Sequence, residues 1–117
     1  MTLEHRTKKN PPDVDAAVLE ARHLWNEARY WHVHEALETI WRVKTGDEKR
    51  WLQGLILAAA SLVHLEKKHD TVTWRMMGDA LARLHDAPAD YHGWDVACFR
   101  LHLAQCIAKH LWTEIKV

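Results

Sequence analysis

The chain has 117 residues, 48% of them apolar and 27% charged, which suits one globular core and excludes a disordered or fibrous chain. Sixteen basic and sixteen acidic side chains cancel, so no long-range field draws the chain to nucleic acid or to an anionic membrane. Seven Trp against one Phe is lopsided; indoles are rarely buried completely, so some are expected at grooves or subunit contacts.

Residues 1–12 read as a loose arm that ends in Pro11-Pro12, and residues 13–117 as one all-α domain. The polar start of the arm lacks the apolar stretch of a signal segment. Leu55 to Val63, the longest apolar run, falls short of the ~20 residues a bilayer span needs. Cys98 and Cys106, if they share a helix, lie roughly 12 Å apart along its axis, too far for a disulfide. Two reduced thiols point to the cytoplasm.

Asp13 offers an N-cap, and Val14, Ala17, Val18, Ala21, Leu24 and Trp25 follow with helical spacing. A break is expected over Asn26 to Arg29, with Asn26 as the left-handed residue. A second helix should run from about Tyr30 to Lys44 and stop at Gly46. Val33, Leu37, Ile40, Trp41 and Lys44 form one stripe on it, and His34, Glu38 and Trp41 a second. Ala28, His32, Glu35, Thr39 and Arg42 are left for solvent. His32 and His34 project ~200° apart, so the His-x-His is no chelate.

Thr45 or Asp47 should cap a third helix that continues to about His69. From Trp51 to Leu65 it is apolar all round, the mark of a central buried helix, with Gln53 and His64 as its polar exceptions. These two lie roughly 16 Å apart along the axis, so one small ligand cannot use both. Asp70 should cap a fourth helix with stripe Trp74, Met77, Leu81 and Leu84, ended by Asp86-Ala87-Pro88. After a loop with Tyr91 and Gly93, Asp95 should cap a fifth, with Val96, Phe99, Leu103, Ile107, His110 and Leu111 inward. No strand-like alternation is visible. The expected architecture is a bundle of about five helices around a central antiparallel helical hairpin.

The stretch Asn26-x3-Tyr30-Trp31-x2-His34-Glu35-x2-Glu38-x2-Trp41, followed by Leu52-Gln53-Gly54-Leu55-Ile56, Ala59-Ala60 and His64, resembles the signature of the domain-of-unknown-function 309 family. Pro88-x2-Tyr91-x-Gly93-x-Asp95 resembles that family's C-terminal turn, so the likeness spans roughly residues 20–97. Glu27-Ala28 stands where the family often has a glycine turn, and Leu57 where a second glutamine often follows. The resemblance implies a small helical bundle and brings no established activity with it.

A short turn between the second and third helices sets Glu38 beside Gln53 and Gly54, and His64 level with Tyr30 and Asn26. A polar cluster of His34, Glu38 and Gln53 is therefore expected, with Gly54 allowing close backbone approach, Glu35 and Trp41 beside it, and His64 apart from it, nearer the turn at Asn26 and Tyr30. As structure, the cluster pairs a buried carboxylate with an imidazole and an amide, a polar lock for the hairpin. As function, His34 and Glu38 four residues apart could hold a divalent metal in a metal-binding protein or metal-dependent hydrolase, although zinc needs a further ligand. No other cofactor is evident, and no small-molecule ligand can be named. On the fifth helix only His102 and Cys106 could cooperate, since Cys98 and His110 project ~120° apart. The expected function is a non-enzymatic binding domain. Five helices at this length leave an apolar excess that points to a homodimer through aromatic-rich faces.

Overall fold

The computed structural model describes residues 12–117, so the arm expected at residues 1–12 lies, except for Pro12, outside the described residues. Five helices follow one another: α1 (Val14–Asn26), α2 (Tyr30–Trp41), α3 (Gly46–Glu66), α4 (Asp70–Arg83) and α5 (Val96–Lys109). They form the all-α bundle that the spacing predicts. Two two-residue strands, β1 (Asp90–Tyr91) and β2 (Trp94–Asp95), pair antiparallel between α4 and α5. The sequence shows only a loop there, because two residues are too few for a period of two to register.

Helix ends follow the capping chemistry with three corrections. Asp13 and Asp95 cap α1 and α5 as predicted, accepting from the Ala16 and Cys98 amides at 3.2 and 3.0 Å. At the break after α1 the left-handed residue is Ala28 (φ 60), not Asn26. α2 stops at Trp41 rather than Lys44, and Gly46 opens α3 instead of closing α2. His69, not Asp70, is the N-cap of α4, which leaves the Asp70 carboxylate in the first turn where the helix dipole favours it.

α3 is the central helix. It buries Leu52, Gly54, Leu55, Ile56, Ala58, Ala59, Ser61 and Leu62, and packs against α2 on one side and α4 on the other. The Ser61 hydroxyl donates to the Ala58 carbonyl at 2.6 Å, which satisfies the one fully buried polar side chain of the helix. The side of α2 left for solvent is exposed as expected at Ala28, His32, Glu35, Thr39 and Arg42. No described helix is long and apolar enough to cross a membrane.

α5 ends at Lys109, two residues sooner than its apolar pattern suggests. His110 adopts the left-handed conformation (φ 49), so the chain turns away; His110 and Leu111 are exposed rather than inward. The residues beyond return across α1 as a strap. Trp25 Nε1 donates to the Ile115 carbonyl at 2.9 Å, Arg22 Nε to the Val117 carbonyl at 2.8 Å, and the Val117 amide to Asn26 Oδ1 at 2.7 Å. Beneath the strap, Trp25 meets Tyr30, Phe99, Trp94 and Trp112 edge-on, with centroids 5.0 to 6.1 Å away. This aromatic knot ties both ends of the described chain to one core.

Candidate recognition face on the second helix

The helical repeat places Trp31, His34, Glu38 and Arg42 along one edge of α2. The Trp31 and His34 rings stack, with centroids 5.4 Å apart and planes at 17°. His34 Nε2 lies 3.6 Å from Glu38 Oε2, and the other Glu38 oxygen accepts from the Arg42 guanidinium at 2.8 Å. The strip is a surface feature: Trp31 is 56% exposed and the Glu38 side chain 32%. The carboxylate expected to be buried is partly open to water, because α2 turns Val33, Leu37 and Ile40 inward instead. His34 Nδ1 is buried and has no hydrogen-bond partner.

The other residues of the predicted cluster lie elsewhere. Gln53 makes no hydrogen bond to His34 or Glu38; it lines a groove with Trp41, Gly46, Lys49, Arg50 and Arg83. Gly54 is buried against α4, where an added Cβ would stand 2.7 Å from Leu84 Cγ and 3.1 Å from the Ala80 carbonyl oxygen. The close approach it permits is therefore between α3 and α4, not between α3 and Glu38. Trp41 is half-buried and carries the Lys49 ammonium 4.2 Å above its ring. Glu35 is exposed beside a groove between α1 and α2 shared with Glu20, Leu24 and His32.

His64 Nδ1 faces His69 Nδ1 at 3.2 Å across the turn into α4. Tyr30 is a core residue, 8% exposed, whose hydroxyl is pushed up from its ordinary pKa by burial, then by Glu114 and Glu66.

On α5 the one pair that could cooperate does meet: His102 Nε2 is 3.5 Å from Cys106 Sγ, but it also lies 2.6 Å from the Thr113 carbonyl. An Nε2–H committed to that carbonyl cannot accept a thiol proton, so the arrangement is not that of an activated nucleophile. Cys98 and Cys106 are both free.

Among the described residues no three His, Cys, Asp or Glu side chains converge to hold a metal. His34 and Glu38 remain two donors, one of them engaged by Arg42. The strip presents an exposed indole stacked on an imidazole, with an acid and a base beside it. Trp31 and Arg42 were absent from the sequence-level cluster, although their spacing of three and four residues from His34 and Glu38 was there to read.

The family model described as a domain of unknown function (DUF309) matches residues 18–76, which include every signature residue from Asn26 to His64 and exclude the turn around Gly93. The crystal structure of a conserved hypothetical protein, TTHA0068 from Thermus thermophilus, is similar in sequence and fold. It is 33% identical, its alignment covers 85% of this chain and 99% of that one, and the TM-score is 0.68. No curated protein matches the chain.

Proposed function

The chain belongs to the DUF309 family, and from that premise we propose that it is a non-catalytic binding domain whose recognition face is the outer edge of α2, with a second copy of the chain as its partner. The observation that carries this is the Trp31–His34 stack. A large indole left 56% exposed is already stacked on His34 before any partner arrives, which lowers the rotamer entropy it would lose on binding. The strip is also self-complementary. Glu38 and Arg42 sit one turn apart, so two copies related by a two-fold axis could exchange acid for base while their Trp31 rings cover each other.

Light scattering of the intact protein from micromolar to about millimolar concentration tests this, since weak dimers have dissociation constants in that span. The expected outcome is a concentration-dependent dimer that Trp31→Ala abolishes. A strict monomer throughout removes the proposal. The two free thiols fit a reducing compartment, so we place the protein in the cytoplasm.

A divalent metal at His34 and Glu38 is the weaker alternative, favoured by the 3.6 Å approach of His34 Nε2 to Glu38 Oε2 and opposed by the lack of a third converging ligand among the described residues. Elemental analysis of untagged protein purified without chelator, with a melt in added zinc or manganese, decides it: stoichiometric metal would support this alternative, and none with no stabilisation would end it.

A further inference from the structure

We infer that the groove bounded by the end of α2, the start of α3 and the end of α4 binds a small phosphate-bearing ligand. Its volume is about 300 Å³, and its walls are Trp41, Gly46, Lys49, Arg50, Gln53 and Arg83. That size suits a phosphate group with a small ring or sugar attached, at the lower end of small-molecule sites.

The charge of this wall is unlike that of the whole chain, whose sixteen bases and sixteen acids cancel. Three of the six lining residues are cationic and none is acidic. Arg50 is already committed: its guanidinium takes both Asp86 oxygens at 2.8 and 2.9 Å and Asp47 at 3.0 Å, so it forms a fixed, largely neutralised wall. Lys49 and Arg83 differ from it. Among the described residues neither forms an ion pair, although acidic side chains are plentiful on the neighbouring turns. Lys49 instead rests on the Trp41 ring at 4.2 Å. Gln53 lines the same groove, and among the described residues its amide has no hydrogen-bond partner.

Two uncompensated cations of different geometry suit phosphate better than a single carboxylate. The Arg83 fork can take two phosphate oxygens in parallel, while the Lys49 ammonium supplies a point charge and the Gln53 amide a neutral donor. Trp41 provides a flat apolar wall for the remainder of the ligand. The groove shares no lining residue with the strip of Trp31, His34, Glu38 and Arg42.

The test is a titration of the full chain followed by amide and indole NMR at constant ionic strength, with chloride replaced stepwise by inorganic phosphate, and in parallel with adenosine 5′-monophosphate and with adenosine. Saturable shifts of the Trp41 indole and the Gln53 side-chain amide are expected with both phosphates and not with adenosine, with dissociation constants of about 1 mM or below. Tighter binding of the nucleotide than of inorganic phosphate would identify a phosphate monoester, and equal binding the free anion. Arg83→Gln and Lys49→Gln, both at the rim, should each weaken binding about tenfold without lowering the melting temperature. Absence of a saturable shift at roughly 10 mM phosphate, or equal binding by the double variant, overturns the inference.

Discussion

Gly54 of α3 and Leu84 at the end of α4 lie so close that a single methyl group on Gly54 would enter the Leu84 side chain, at 2.7 Å from Cγ. The Ala80 carbonyl oxygen, 3.1 Å away, closes the other side and belongs to backbone that cannot swing aside. Gly54→Ala should therefore destabilise the protein by about 1–3 kcal/mol, even though alanine is the better helix former. Gly78 on α4 is the internal control: a Cβ there meets nothing within 4 Å, so Gly78→Ala should stabilise by about 0.5–1 kcal/mol. Urea unfolding of the two variants checks the opposite signs. If both shift the midpoint the same way, the α3–α4 contact is not as tight as these distances make it.

The turn between α1 and α2 carries strain of the reverse kind. Ala28 holds φ 60 while the Arg29 amide reaches back to the Leu24 carbonyl at 2.9 Å. A left-handed L-residue costs about 1–2 kcal/mol, most of which glycine avoids. Ala28→Gly should thus raise stability by about 0.5–1 kcal/mol, seen as a higher thermal midpoint with unchanged spectra. An unchanged or lower midpoint would mean that the turn relaxes by another route.

Two groups are expected to shape the pH dependence of the fold. The Arg50 guanidinium, helped by the Trp51 indole, holds the Asp86 carboxyl well below the usual carboxylate range. A depressed folded pKa adds stability above the unfolded value of about 3.9 and loses it as acid protonates the folded group. Tyr91 is the opposite case: burial, then its hydrogen bond to Glu48 at 2.8 Å, raises the phenol above its ordinary value. A raised folded pKa adds stability below about pH 10 that is lost as the pH climbs past it. Melts across pH should show an acid limb below about pH 4 that Asp86→Asn flattens, and an alkaline limb above about pH 10 that Tyr91→Phe flattens. Limbs that persist unaltered in these variants would assign them to other groups.

Much of the fold was legible because helical periodicity is a property of the local chain. The caps Asp13 and Asp95, the central apolar α3 and the solvent side of α2 all follow from spacing alone. The tail was not, since a single left-handed residue, His110, redirects it, and its anchoring to Arg22, Trp25 and Asn26 is a contact across some ninety positions. The candidate site was legible in part. Four-residue spacing does bring His34 and Glu38 together, but which face Gly54 presents depends on how α4 packs, and no pattern within α3 records that. Gln53 was displaced from the cluster for the same reason.

The ladder on α2 separates a structural from a recognition role by one pair of variants. A buried polar lock would make removal of the Glu38 carboxylate cost about 1–3 kcal/mol through unpaired partners. The ion pair observed is an i,i+4 contact with Arg42, whose side chain is 67% exposed, and such pairs contribute only about 0.3–0.5 kcal/mol. Glu38→Ala should accordingly leave the melting temperature nearly unchanged. Trp31→Ala should be equally mild, because more than half of that indole already faces water. In the proposed dimer, both substitutions act on association instead: Trp31→Ala removes it, and Glu38→Ala weakens it in a salt-sensitive way. Sedimentation of the two variants beside their melts reads both quantities. A large loss of stability in either would return the strip to a structural role, whereas loss of association at constant stability is what a recognition face requires.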